Sequence, residues 1–120
     1  MALTAMDLVA QARQQIKEID IAQSLAKLDG TLILDVREPA EFSSGHLPNA
    51  INIPRGVLEF KISDHPNFKN KHNDEIIVYC QSGNRSALAT VALNQMGYSN
   101  ALSMIGGFQA WLQAGHQTQA

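Results

Sequence analysis

The chain has 120 residues, 45% of them hydrophobic and 17% charged, and a formal net charge of -2. These values describe one ordinary globular domain and exclude two independent cores, a disordered composition and the basic surface that nucleic acid requires. Any attraction for an anionic substrate must therefore come from a local field.

In chain order, Thr4 and Asp7 suit a helix start, and Leu3, Met6, Val9, Ala10 and Ile16 keep a rough helical spacing. They predict a helix from Thr4 to about Lys17. Asp20 and Gln23 form a capping pair for a second helix over 21–28, ended by Asp29-Gly30. Thr31 to Leu34 is a short apolar run that suits a strand buried on both faces, finishing on Asp35-Val36-Arg37. Pro39 to Phe42 can form one helical turn, and Gly45 to Asn49 reads as a loop. Ala50 to Ile53 is a further strand closed by Pro54, and Gly56 to Ile62 reads as helical. Ser63 to Asp74 is polar, contains Pro66, and is expected as a mobile connection.

Glu75 to Tyr79 is the clearest strand, with Cys80 at its C-terminal end. Ser86 then caps a helix using Leu88, Ala89, Val91, Ala92 and Met96, with Gly97 ending it. Ala101 to Ile105 is a last strand, followed by Gly106-Gly107 and a helix from Phe108 to Ala114. Alternating strands and helices predict an α/β domain, with a central, mainly parallel sheet and helices on both faces.

The N-terminal residues show no basic start, apolar run and small-residue cleavage site, and no stretch approaches the ~20 apolar residues that span a bilayer. A cytoplasmic location without membrane contact is the expectation. One cysteine permits neither an intramolecular disulfide nor a cysteine-based zinc cluster. Cys80 is then buried filler, a redox-sensitive thiol or a nucleophile.

Its surroundings favour the nucleophile. In open α/β sheets, ligands bind beyond the carboxyl ends of the strands, which is where Cys80 falls. Gly83 permits a tight turn whose amides can form an anion nest, and the following helix adds its positive end. Both favour thiolate over thiol and would equally stabilise a persulfide anion. Arg85 supplies a cation for an incoming oxyanion. A core cysteine needs neither Gly83 nor Arg85.

Four segments in order resemble the rhodanese family, over roughly Ile19 to Gly115. Leu34 to Pro39 with Glu41-Phe42 looks like its first motif, and Gly45 to Pro54 like its second. Val78 to Ser86 matches its active-site loop, and Gly97-Tyr98 through Gly106 to Trp111 its C-terminal signature. The resemblance implies a rhodanese-like domain over 18–116, a helical extension at 1–17 and a tail at 117–120. It also implies ping-pong sulfur transfer. Cys80 would take sulfur from a small anionic donor such as thiosulfate, the amides of Gln81, Ser82, Gly83, Asn84 and Arg85 would cradle it, and an external thiol, cyanide or protein cysteine would accept it. The covalent persulfide is the only carrier implied; no cofactor or metal is. A monomer or weak homodimer is expected.

Other polar residues have two readings each. Asp35 either lines the pocket or pairs with Arg37, and the pairing is preferred; Arg37 and Glu41 are expected as a structural pair that fastens the loop after the first strand. His46 either carries protons or bonds backbone groups, the latter preferred. Arg55 either faces the pocket mouth or is solvated, while Phe108 and Trp111 read as core. His65, His72 and His116 have no ligand spacing. Gly106-Gly107 is placed for a close backbone approach to the Cys80 loop.

Two other functions compete. A cysteine-dependent phosphatase loop has five residues between Cys and Arg, whereas four separate Cys80 from Arg85, with Ser86 where that Arg would stand. The shorter loop makes a smaller nest, suited to sulfur. A persulfide carrier or regulatory module docking on a partner would keep Cys80 but turn over free thiosulfate poorly.

Overall fold

The apolar runs of the sequence become a five-stranded sheet in the computed structural model, which describes residues 2–120. The strands are β1 (Lys17–Ile19), β2 (Leu32–Asp35), β3 (Ile51–Asn52), β4 (Ile76–Tyr79) and β5 (Ala101–Met104). All pair in parallel, in the order β1-β5-β4-β2-β3. The helices are α1 (Ala5–Arg13), α2 (Ile21–Ala26), α3 (Pro39–Ser43), α4 (Leu58–Lys61), α5 (Asn84–Gln95) and α6 (Gly107–Gln113). This is the α/β architecture expected, with helices on both faces.

The period of two along β4 divides the core. Ile76 and Val78 join Leu34 on one face, against Leu58, Ala89 and Leu93 of α4 and α5. Ile77 and Tyr79 join Ile33 on the other, against Phe108 and Trp111 of α6. Cys80 continues the alternation onto the α5 face, beneath the N-terminus of that helix. The side chain of a residue one position earlier or later would point towards α6.

Register brings Asp35 opposite Tyr79 at the carboxyl ends of β2 and β4. After β2 the chain runs to β3 on one side; after β4 it runs through α5 to β5 on the other. The crevice therefore opens where the connections diverge, the position at which such sheets bind ligands.

Two expectations need correction. The first helix stops at Arg13, and Lys17–Ile19 forms an edge strand paired with β5. Two of its three residues are exposed, so it lacks the apolar run that reveals a strand. Second, the polar stretch 63–74 is anchored: Phe68 is fully buried, His72 stacks on Tyr98, and the Ser99 N–H donates to the His72 carbonyl. The C-terminal tail, 117–120, folds back onto the domain. Gln119 exchanges backbone hydrogen bonds of 2.8 and 2.9 Å with His46, and Trp111 Nε1 donates to the Gln117 carbonyl.

No helix among the described residues is long and apolar enough to cross a membrane.

Candidate active site around Cys80

Cys80 follows the last residue of β4, and Gly83, with φ +104°, turns the chain directly into α5. The helix starts at Asn84, two residues before the predicted cap. Ser86 lies inside its first turn rather than at the cap, and its hydroxyl donates back to the Gly83 carbonyl at 3.1 Å. Only a glycine turns there without strain.

The sulfur is enclosed by this turn. Cys80 is 1% exposed, and its Sγ accepts from the Gly83 N–H at 3.1 Å and the Ser86 N–H at 3.3 Å. Of the amides of residues 81–85, Gly83 is the one bonded to Sγ among the described residues; the second donor lies one residue beyond that span. Ser86 Oγ stands 3.6 Å from Sγ and 2.9 Å from Ser103 Oγ on β5. Two amides and the positive end of a 12-residue helix thus converge on one sulfur atom. Donors and a helix N-terminus so placed form a seat that suits an anionic group.

The loop is held from below by α6. The Phe108 N–H donates to the Cys80 carbonyl at 2.8 Å and the Gln109 N–H to the Gln81 carbonyl at 3.0 Å. Gly107, at φ +60°, makes this approach possible: a β-carbon there would lie 2.5 Å from the Cys80 oxygen. Ser82 is exposed at the tip, and the Asn84 amide reaches Met6 Sδ on α1 at 3.8 Å.

A buried ion pair forms the floor. Asp35 and Arg37 are paired through two guanidinium nitrogens, Nε at 3.1 Å and Nη2 at 2.8 Å. Arg37 also donates to the Gly45 carbonyl at 2.7 Å and to Gln81 Oε1 at 3.3 Å, and its guanidinium lies 4.3 Å from the Phe108 ring centroid. Burial opposes the charge on Arg37, but the Asp35 carboxylate outweighs it and raises the pKa further. Tyr79 is pushed well above the usual phenol range by burial and by Asp35 beside it. Its hydroxyl accepts from the Leu47 N–H at 3.1 Å.

Arg37 does not pair with Glu41. It precedes α3, whose N-cap is Glu38, so the helical i,i+4 spacing does not apply and its side chain turns inward to Asp35. Glu41 instead takes both Nη atoms of Arg85, at 2.8 and 3.0 Å. The Arg85 hydrogen bond holds the Glu41 carboxyl down at about 2, from an ordinary 4.5. Arg85 is thus tied to a carboxylate across the crevice rather than free.

Because the Glu41 value is lower folded than unfolded, its stabilising contribution is complete above about pH 4.5 and is lost as pH falls through about 2. Both side chains are about a third exposed, at 37% and 34%. Screening leaves about 1 kcal/mol or less for the pair. Glu41→Gln should lower urea stability by that amount at neutral pH, with the difference from the parent closing in acid. A difference independent of pH would show that the pair does not carry it.

The other candidates lie apart. His46 Nδ1 bonds the Phe42 carbonyl at 3.0 Å and the ring stacks on Phe42 at 3.8 Å. Arg55 pairs with Glu59 at 2.9 Å and lines a 350 Å³ groove with residues of α1, α4 and α5, none from the Cys80 loop. His65, His72 and His116 each stand against a different aromatic ring. Sequence reasoning missed Ser103, the Gly45 carbonyl and the Tyr79 hydroxyl. Ser103 had a usable signal, a polar residue within an otherwise apolar strand, since buried hydroxyls need partners. The other two show no pattern along the chain.

The Rhodanese-like domain family matches residues 14–114 of this chain. A sulfurtransferase of Allochromatium vinosum is 34% identical over 103 residues, spanning 83% of this chain and 92% of that protein. Thiosulfate sulfurtransferase 16, chloroplastic, of Arabidopsis thaliana is 41% identical over 102 residues, spanning 78% of this chain and 83% of that protein. Among solved structures, a Rhodopseudomonas palustris protein of unknown function, described as a possible tyrosine phosphatase, matches with TM-score 0.87 and 28% identity. That match spans 99% of this chain and 96% of the other.

Proposed function

This chain belongs to the rhodanese-like domain family, and from that premise we propose that it is a sulfurtransferase using thiosulfate or a similar small anion as donor. The observation that carries the reading is the seat of Cys80 Sγ, between the N–H groups of Gly83 and Ser86 at 3.1 and 3.3 Å. Cys80 thiolate attacks the outer sulfur of the donor. A new S–S bond forms while the bond to the sulfonate sulfur breaks, and sulfite leaves with the electron pair. The persulfide anion keeps its charge within reach of the loop amides and the α5 dipole. A thiophilic acceptor, such as cyanide, a thiol or a protein cysteine, then takes the outer sulfur and regenerates Cys80 thiolate. The chain has one cysteine, so the acceptor is a separate molecule.

The likeness to a possible tyrosine phosphatase does not carry a second reading. Four residues between Cys80 and Arg85 leave a nest closed around one sulfur atom, and Arg85 is held by Glu41.

Treatment with thiosulfate should add ~32 Da, one sulfur atom, through the nucleophilic step, and Cys80→Ser should carry no adduct. A mass unchanged under non-reducing conditions sinks thiosulfate as donor. Phosphate release from an aryl phosphate that disappears in Cys80→Ser would replace sulfur transfer with phosphatase chemistry.

A further inference from the structure

Three of the four arginines are engaged through short bonds to carboxylates. Arg37 is buried on Asp35, Arg85 spans both Glu41 oxygens, and Arg55 is 2.9 Å from Glu59. None of them brings uncompensated charge to the Cys80 loop. Arg13 differs. It is the last residue of α1, and its ion pair with Glu18 is long, Nε to Oε2 at 3.6 Å. Its Nη2 lies beside the loop: a β-carbon on Gly83 would stand 3.4 Å from it. Gly83 is the residue whose N–H bonds the sulfur.

The position is held rather than accidental. Val9 and Ala12 of α1 pack against Ala87 of α5, and Met6 Sδ accepts from the Asn84 amide. Met6, Val9 and Ala12 of α1 thus grip the first turn of α5. The Arg13 side chain is 42% exposed, so its guanidinium meets both the loop and solvent. The family match begins at residue 14, which leaves this cation outside the matched segment.

We propose that Arg13 is a specificity-determining residue, the cation that draws anions to Cys80 and favours a charged sulfur donor over a neutral one. The inference rests on the sulfurtransferase reading for the identity of the donor. Its physical content, a net positive field at the loop, does not. With the chain carrying a net charge of -2, such a field has to be local.

The test compares alkylation of the single cysteine by iodoacetate, an anion, and by iodoacetamide, its neutral counterpart. The ratio of the two rates cancels the intrinsic reactivity of the sulfur and any loosening of α1. Arg13→Gln should lower the ratio about five-fold at low salt, from the loss of one nearby charge. Arg13→Lys should keep most of it, and high salt should shrink the difference between parent and variant. In parallel, the thiosulfate concentration that half-loads Cys80 with sulfur should rise about as much in Arg13→Gln and fall in Glu18→Gln. An unchanged ratio in Arg13→Gln, or equal slowing with both reagents, overturns the inference. If the parent protein takes no sulfur from thiosulfate, the donor assignment fails, while the alkylation ratio still decides whether Arg13 recruits anions.

Discussion

Replacing Arg37 with leucine is expected to destabilise the protein by about 3–5 kcal/mol, because it leaves one charge of a buried pair without its partner. Asp35 and Arg37 are 0% and 2% exposed, so the abandoned carboxylate has no water to turn to. The same change removes the donors to the Gly45 carbonyl and to Gln81 Oε1, loosening the loop after β2 and the residue next to Cys80 together. Arg37→Lys should recover little, since one ammonium cannot reproduce a fork that reaches Asp35, Gly45 and Gln81 at once. The double variant Asp35→Asn with Arg37→Leu should be more stable than Arg37→Leu alone. Urea denaturation of the four proteins measures this, and a double variant no better than the single would refute the buried-charge explanation.

Gly107→Ala is expected to cut sulfur transfer about 100-fold, by displacing the nucleophile on the scale of an ångström. The new β-carbon would lie 2.5 Å from the Cys80 oxygen and 2.7 Å from the Gln81 carbonyl carbon, both backbone atoms that cannot swing aside. Either α6 moves away, breaking the bonds from the Phe108 and Gln109 amides, or the Cys80 loop moves and the sulfur leaves its two N–H donors. Residue 107 also sits at φ +60°, so alanine adds backbone strain, and a stability loss of about 1–3 kcal/mol is expected with it. Gly30→Ala is the control. Gly30 has φ +82° but open space around it, so alanine there should cost stability without touching activity. Equal loss of activity in both variants would show that strain alone, not the loop contact, is responsible.

Much of this site was legible along the chain because its chemistry is local. Cys80, Gly83 and Arg85 lie within one turn, and the strand before them announces itself by an unbroken apolar run. The count of four residues between Cys80 and Arg85 already argued for sulfur over phosphate. Legibility fell where a residue's role depends on a partner distant in sequence. Arg37 and Glu41 are close neighbours in the chain yet serve different partners. One turns down to Asp35 on the sheet; the other crosses 44 positions to Arg85. Along the chain Ser86 reads as the helix cap, whereas the positive φ of Gly83 starts α5 at Asn84 and puts Ser86 inside its first turn.

The sequence by itself determined the α/β class, the place of its one cysteine at the end of a buried strand and the length of the loop after it. Each is written in periodicity and spacing over a few residues, where bonded neighbours set what the backbone can do. Only the tertiary structure decided which charges meet, which amides reach the sulfur, and that Arg13 of the N-terminal helix stands beside Gly83. Those are matters of where long side chains and loop backbones end after packing, and ion pairs and hydrogen bonds change partners over an ångström or two. The loop from Cys80 to Arg85 could be recognised from its own residues, whereas the floor, the buttress and the cation around it come from β2, α6 and α1.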